Sequence, residues 1–194
     1  LLKRVGTYAK DKHIKLPSLK FVNSGGAPID RSNLETFMGL LSPEGQMNSS
    51  WGATEGLPLA TLAGQDMLGR HQATILAGKG SPLGKVLQGI NMRLITISPD
   101  PIAKWVEHLA VQPGAIGEIV VQGPNVSRFY HKNPAANAAH KIEETQGGAS
   151  RIWHRTGDLG WQDSEGVLHF TGRMAHSFVN AKGELMHSVA AEGV

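Results

Sequence analysis

A short segment at residues 51–55 combines three groups that could act on a nucleotide. It holds the indole of Trp51, the hydroxyl of Thr54 and the carboxylate of Glu55. An indole can stack on a base, a hydroxyl can donate to a phosphate oxygen, and a carboxylate suits Mg²⁺, which prefers oxygen ligands. Taken alone, the segment fits equally well with a buried Trp51 and a solvated Glu55.

Two more segments place glycines beside groups that could hold the same kind of ligand. Residues 24–28 read Ser-Gly-Gly-Ala-Pro, and paired glycines let the backbone approach a flat ligand, although most such pairs are only turns. Asp158 follows Gly157 and could accept hydrogen bonds from both hydroxyls of a ribose, although a lone Asp is more often a turn former. Arg173 could pair with ribose or phosphate oxygens.

The first third of the chain predicts alternating strands and helices that would position these groups. A strand is predicted at residues 19–22, and a helix begins after Asp30, a suitable N-cap. Pro43 and Gly45 should end this helix, and its buried face would consist of Leu34, Phe37, Met38 and Leu41. A further segment at residues 46–50 leads into a loop that carries Trp51. This order is typical of an α/β layer, whose ligands lie at the carboxyl ends of strands.

Short strands dominate the chain after about Gly78. They are predicted at residues 92–97, 118–122 and 167–170, the last of them after a turn. A helix is predicted at residues 133–142, with Pro134 in its first turn. The sequence therefore predicts an α/β layer followed by a small β-rich subdomain.

Composition excludes several classes of protein and of site. The 194 residues are 40% hydrophobic and 18% charged, which favours a buried core over disorder. The absence of cysteine excludes disulfides, thiolate metal sites and a Cys nucleophile, and it suits a cytoplasmic protein. The nine histidines show no zinc-motif spacing. No apolar run approaches the roughly 20 residues of a membrane span, and no signal peptide is visible.

The sequence gives little support to two other functions, nucleic-acid binding and phosphate binding by a P-loop. The net charge of +3 is not gathered into a dense basic stripe, so a nucleic acid is not an expected partner. Residues 78–86 contain a Gly-Lys pair, but Lys79 stands where a phosphate-binding P-loop needs glycine, and Val86 replaces its Ser or Thr. The P-loop interpretation is therefore excluded.

Four motifs occur in an order that resembles one family. They are the glycine motif at residues 24–28, aromatic-Gly-x-Thr-Glu at 51–55, Gly-Glu-Ile-x-Val-x-Gly at 117–123, and Thr-Gly-Asp-Leu through Gly-Arg at 156–173. Together they are similar to the adenylate-forming superfamily of acyl-CoA synthetases, peptide-synthetase adenylation domains and luciferases.

The resemblance implies a fold and a division of the chain. The chain would be an α/β fragment of the large N-terminal domain of such an enzyme. Residues 1–80 would form its α/β part, and residues 81–172 a small β-barrel-like subdomain. Residues 173–194 would form the hinge and the start of a truncated C-terminal domain.

The resemblance also implies an ATP site. Trp51 would stack on the adenine, where the family usually has Tyr. Thr54 would contact the α-phosphate and Glu55 would hold Mg²⁺, which makes them the catalytic residues. Asp158 would bind the ribose hydroxyls and Arg173 would contact the ribose near the hinge. The complete set of nucleotide-binding residues implied is Gly26, Ala27, Pro28, Trp51, Gly52, Ala53, Thr54, Asp158 and Arg173.

The activity implied is the activation of a fatty or β-hydroxy fatty acid with ATP. A carboxylate oxygen attacks the α-phosphate to give acyl-AMP and pyrophosphate, and most relatives then pass the acyl group to coenzyme A. The protein positions two anions and neutralises charge, and it supplies no nucleophile of its own. The family's Lys-bearing phosphate loop is expected upstream of Leu1 and its catalytic Lys downstream of Val194, so this part alone should be inactive.

The region after Arg173 leaves three functions open. Ala175 stands where relatives usually carry Asp or Lys, and the later Lys-x-x-Gly segment is not matched, which argues against coenzyme A transfer. Residues 51–58, 101–105 and 172–176 are similar to the bacterial β-lactone synthetases of olefin biosynthesis, in which a β-hydroxyacyl-AMP closes on its own carbonyl. The alternatives are thus a coenzyme A ligase, a β-lactone synthetase and a non-catalytic nucleotide-binding remnant.

Overall fold

The computed structural model describes residues 1–183 and 185–187. The α-helices of this part are α1 (Leu2–Asp11), α2 (Arg31–Met38), α3 (Gly64–Leu68), α4 (Gln72–Leu76) and α5 (Pro134–His140). Its strands are β1 (Phe21–Gly25), β2 (Gln46–Ala53), β3 (Gly56–Ala63), β4 (Ser81–Val86), β5 (Asn91–Ile95), β6 (Gly117–Gln122), β7 (Lys141–Gln146), β8 (Ala149–Gln162), β9 (Leu168–Arg173), β10 (Phe178–Val179) and β11 (Leu185–Met186). Single 3₁₀ turns lie at Glu107–Leu109 and Met174–His176.

Nine of these strands form one sheet in the order β1-β2-β3-β4-β9-β8-β6-β5, and β7 pairs with the first half of β8. β1 and β2 are parallel and are connected through α2, whereas the other pairs in the sheet are antiparallel. The β1–α2–β2 unit confirms the α/β prediction for the first third of the chain. β3 pairs with β4 across the predicted boundary at residue 80, so one sheet runs through both predicted parts.

Helix α2 begins where the sequence predicts, but it ends earlier. The side chain of Asp30 accepts a hydrogen bond from the backbone N–H of Asn33 at 2.9 Å, as an N-cap does. The helix stops at Met38 and does not run on to Pro43. The placement of Leu41 on the helical face was therefore wrong. Leu41 forms a bridge with Leu16 and packs against the same apolar cluster from outside the helix, which is why apolar spacing alone did not mark the end.

Other boundaries differ from the prediction as well. The first strand runs from Phe21 to Gly25, later than expected and into the glycine motif. Trp51, predicted to lie in a loop, belongs to β2, which continues to Ala53. Ile142, predicted to lie in the helix, belongs to β7 and is fully buried. In each case pairing with a neighbouring strand outweighs local propensity.

A buried cluster beneath the centre of the sheet fixes the strands that carry the motifs. It gathers side chains from β2, β3, β4, β6 and β9, among them Trp51, Leu59, Leu83, Ile119 and Leu168. A second cluster packs α1, α2 and α3 on the first strands, and a third lies under β7 and β8. Within the described residues, no helix has the length and apolar character that a membrane crossing requires.

Candidate functional site

Two adjoining pockets form one cleft beyond the carboxyl ends of the parallel strands β1 and β2. The larger has a volume of about 770 Å³ and the smaller about 340 Å³. Both are lined by Gly26, Ser50, Gly52 and Arg173, so the two spaces adjoin. This is the end of an α/β sheet at which ligands usually bind.

Glycines let the backbone of β1 and β2 come together at this end. A Cβ atom on Gly25 would lie 2.8 Å from the carbonyl oxygen of Ser50, its partner in the parallel register. A Cβ atom on Gly52 would lie 2.7 Å from the carbonyl oxygen of Gly56. Any side chain at either position would therefore displace backbone. These glycines shape the floor of the cleft.

The smaller pocket brings together the residues predicted to hold a nucleoside. Trp51 lies beside Asp158, and its indole Nε1 donates a hydrogen bond to Asp158 Oδ2 at 2.8 Å. The indole is 9% exposed and packs in the central cluster, and it also forms a wall of the pocket. The two sequence interpretations of Trp51, core residue and pocket wall, are thus compatible. Other lining residues are Gly26, Ala27, Pro28, Phe170 and Arg173.

One carboxylate oxygen of Asp158 has no hydrogen bond within the described residues. It pairs in register with Arg173 on β9, and the Arg173 Nε lies 3.2 Å from its Oδ1. This is an ion pair without hydrogen-bond geometry, and the buried Oδ1 has no hydrogen-bond partner among the described residues. Burial raises the pKa of Asp158, whereas the Trp51 hydrogen bond and the charge of Arg173 act against that rise. A hydroxyl donor entering the pocket would satisfy Oδ1.

The larger pocket contains the remaining predicted residues. Ala53, Thr54 and Glu55 line it where β2 ends and turns into β3. Two hydrogen bonds hold Glu55, one through its backbone and one through its side chain. Its carbonyl accepts a hydrogen bond from the N–H of Ser127 at 2.6 Å, and its Oε1 accepts one from the hydroxyl of Tyr130, also at 2.6 Å.

The electrostatics around Glu55 leave an ionised carboxylate beside a neutral imidazole. The hydrogen bond from Tyr130 lowers the pKa of Glu55. Burial lowers the pKa of His154 to about 4, helped by the nearby charge of Lys141, and burial lowers the pKa of Lys141 to about 8. Because a carbonyl can only accept, the contact of His154 Nδ1 with the carbonyl of His140 at 3.3 Å assigns the ring proton to Nδ1. The Nε2 lone pair then faces Glu55 Oε2 at 3.9 Å.

This geometry fits a hard cation at Glu55. Glu55 lines the pocket, and its Oε2 lies 3.9 Å from Nε2 of the neutral His154. Two lone-pair groups at that distance are stabilised by a positive charge or a proton donor between them. An ionised carboxylate oxygen in an open pocket is a ligand that Mg²⁺ prefers.

Sequence reasoning missed several residues of the larger pocket. Tyr130, His140, His154, Arg155 and Thr156 line it together with the predicted set. Tyr130 is 75 residues away from Glu55 along the chain, so no local spacing could have found that pair. A polar side chain in an otherwise buried strand was the available signal for His154, which is 3% exposed.

Comparison with known proteins places the chain in a family. The family model described as "AMP-binding enzyme" matches residues 1–131, and the chain belongs to this AMP-binding family. It is therefore part of the group of adenylate-forming ligases that the motifs resembled. Asp158 and Arg173 lie beyond the matched segment.

Among characterised relatives, the chain is 38% identical over 171 residues to the olefin beta-lactone synthetase of Stenotrophomonas maltophilia and 35% identical to that of Xanthomonas campestris. Each match covers 88% of this chain and 31% of the relative. It is 26% identical over 179 residues to the phenylacetyl-CoA ligase epaB of Aspergillus niger, covering 92% of this chain and 29% of that relative. The chain thus spans about a third of the length of the relatives it matches.

Solved structures share the fold. The O-succinylbenzoate coenzyme A synthetase of Bacillus subtilis, in complex with ATP and magnesium ion, matches with a TM-score of 0.66 and 24% identity, covering 94% of this chain and 32% of that chain. The amide bond synthetase McbA of Marinactinospora thermotolerans matches with a TM-score of 0.68 and 22% identity, covering 96% and 32%. At these identities the likeness supports the α/β fold of adenylate-forming enzymes.

Proposed function

We propose that this chain forms the nucleotide-binding part of an ATP-dependent ligase that activates a β-hydroxy fatty acid as its acyl-AMP and closes it to a β-lactone. The observation that carries the proposal is the single cleft. Within it, the Trp51–Asp158 pair borders a glycine-floored pocket, and the ionised Glu55 borders the space next to it.

The proposed roles follow from the chemistry of each group. The indole of Trp51 and the backbone of residues 26–28 enclose the adenine. The unsatisfied Oδ1 of Asp158 accepts from a ribose hydroxyl, and Arg173 lies close enough to contact the same sugar. Thr54, with Gly52 and Ala53 beside it, faces the α-phosphate from the larger pocket.

Adenylation joins two anions, so the main task of the site is to position them and neutralise charge. A carboxylate oxygen of the acid attacks the α-phosphorus, and the bond to the pyrophosphate oxygen breaks. Mg²⁺, when bound at Glu55, supplies positive charge to the phosphate oxygens. Tyr130 keeps Glu55 ionised by donating to it, and the neutral His154 adds no competing cation beside the magnesium site.

Two features favour lactone closure as the fate of the acyl-AMP. The β-lactone synthetases named above are more similar to this chain than the coenzyme A ligase. Ala175, in the 3₁₀ turn after Arg173, replaces the charged residue expected in thioester-forming relatives. In closure, the β-hydroxyl oxygen attacks the acyl carbonyl, AMP leaves, and the hydroxyl proton is released.

Transfer to coenzyme A is the second candidate, because coenzyme A ligases also occur among the relatives, at 26–28% identity over most of the chain and at 38% over 82 residues. The two fates are separated by supplying the full-length protein, of which this chain would be a part, with a β-hydroxy fatty acid, ATP and Mg²⁺ without coenzyme A. We expect acid-dependent exchange of pyrophosphate into ATP and formation of lactone. A strict requirement for coenzyme A would overturn the lactone assignment, and no exchange over a broad panel of acids would favour a non-catalytic remnant.

A further inference from the structure

A second group of ligating side chains lies away from the cleft, where α4 meets the hairpin between β8 and β9. One ring nitrogen each of His71 and His169 and one carboxylate oxygen of Asp163 lie within 4.8 Å of one another. His71 is the N-cap residue of α4, Asp163 directly follows β8, and His169 lies on β9. The residues that line the cleft do not include these three.

The two imidazoles are buried with incomplete hydrogen bonding. His169 is 1% exposed and His71 is 6% exposed. His169 stacks on Trp161 at 4.3 Å between ring centroids and meets the His71 ring edge-on at 5.7 Å. Its Nε2 lies 3.0 Å from Asp163 Oδ2, whereas its Nδ1 is buried and has no hydrogen-bond partner within the described ranges. The ring therefore presents Nε2, not Nδ1, to Asp163.

Asp163 is fixed in place before any ligand binds. Its Oδ1 accepts hydrogen bonds from the backbone N–H groups of Glu165 at 3.0 Å and Val167 at 2.8 Å, which directs Oδ2 towards His169. Hydrogen bonds of this kind orient carboxylate ligands in metal sites. A turn-forming role explains Oδ1 and the contact with His169, but it does not explain why the second imidazole of His71 is buried against the pair.

We propose that His71, Asp163 and His169 form a zinc site. Two imidazole nitrogens and one carboxylate oxygen suit zinc, with water as the fourth ligand, and are poor ligands for Mg²⁺. Ligand atoms in a tetrahedral zinc site are about 3.3 Å apart, given bonds of about 2.1 Å. His169 Nε2 and Asp163 Oδ2 are already close to that separation, so zinc would replace their hydrogen bond. His71 has to approach by up to about 1.5 Å.

The site would join parts of the chain that are distant in sequence. His71 lies in the first predicted part, and Asp163 and His169 lie in the second. Arg70 and Glu165 already form an exposed ion pair across the same junction at 3.6 Å. A bound zinc ion would add a stronger link there and stabilise the folded state in proportion to its occupancy.

Zinc titration of the full chain after removal of metals by a chelator tests the proposal. Calorimetry should show one equivalent of zinc, and a large excess over the dissociation constant should raise the melting temperature by roughly 5 °C or more. Cobalt(II) should bind at the same site and give the visible absorption of a four-coordinate ion. His71→Ala should weaken zinc binding at least about 10-fold, since loss of even an outer-shell partner costs that much.

His108→Ala is the matched control, because His108 is exposed and outside the cluster, and it should bind zinc like the parent. Glu55→Gln should also retain zinc binding, which separates this site from the cleft. If His71→Ala melts early without metal, His71→Gln replaces it. Absence of saturable zinc binding to the parent, or unchanged binding in the His71 variant that folds normally, overturns the proposal.

Discussion

At the scale of single residues, the buried carboxylate of Asp158 tests the nucleotide assignment most directly. Asp158→Asn keeps the size of the side chain and removes its charge. Loss of a charged acceptor for a hydroxyl costs about 1.5–3 kcal/mol, so ATP should bind roughly 10- to 100-fold more weakly. The dissociation constant can be measured by calorimetric titration with ATP.

Asp100→Asn is the control for this substitution, because Asp100 is an exposed carboxylate outside both pockets. Its affinity for ATP should equal that of the parent. An Asp158→Asn variant that melts normally and binds ATP as tightly as the parent would remove the ribose role.

The hydroxyl of Tyr130 should tune Glu55. Tyr130→Phe removes the hydrogen bond that is the largest cause of the lowered pKa of Glu55, so that pKa should rise. In the full-length protein, the acid limb of the pH profile for pyrophosphate exchange should then move to higher pH, and more Mg²⁺ should be needed at low pH. Tyr8→Phe, at an exposed position on α1, should leave the profile unchanged. An unshifted acid limb in Tyr130→Phe would show that Glu55 does not control it.

The motif residues were predictable one by one, and their neighbours were not. The motifs have recognisable spacings, and the structure places their residues around the cleft. These residues are Gly26, Trp51, Thr54, Glu55 and Asp158. Tyr130, in the segment before α5, and His154, in β8, also line this cleft. Tyr130 becomes a site residue through long-range pairing, which leaves no local pattern in the sequence. His154 left only the signal of a polar residue in a buried strand.

At the scale of elements, a buried ion pair connects β6 and β8. Arg155 is 3% exposed and donates to Glu118, which is 1% exposed, with the shortest contact at 2.6 Å. Arg155 also donates to the carbonyls of Ser98 and Asp100, at 2.6 Å and 2.8 Å, and so anchors the loop after β5. Element boundaries in this region follow such cross-strand contacts more closely than local propensity.

Arg155→Met should therefore be strongly destabilising, because it leaves the Glu118 carboxylate buried without its partner. The expected loss in the free energy of unfolding is about 3–5 kcal/mol, measured by urea denaturation. The double variant Arg155→Met/Glu118→Leu should recover part of that loss, since it removes the unpaired charge. A double variant as unstable as the sum of both single variants would contradict this account.

At the scale of the whole molecule, the order of motifs and the apolar patterns predicted the fold class. They did not predict that one sheet continues through both parts of the chain. The change in character near residue 80 predicts two parts. The pairing of β3 with β4 and the central cluster around Leu59 and Ile119 connect them in one sheet. Antiparallel pairing between segments more than twenty residues apart has no sequence signature of its own, so the two-part division stays a prediction.

The stability of the molecule should depend on pH through His154. Burial lowers its pKa from the ordinary value of 6.5 to about 4, so between these values the unfolded chain binds a proton that the folded chain does not. Stability should thus fall as the pH drops from 6.5 to 4, by up to about 3 kcal/mol from this residue. His154→Phe removes that titration, so its free energy of unfolding should lose correspondingly less over the same window. The raised pKa of Asp158 acts in the opposite direction in both proteins and cancels in the comparison. Parallel pH profiles for parent and variant would show that His154 is not buried in its neutral form.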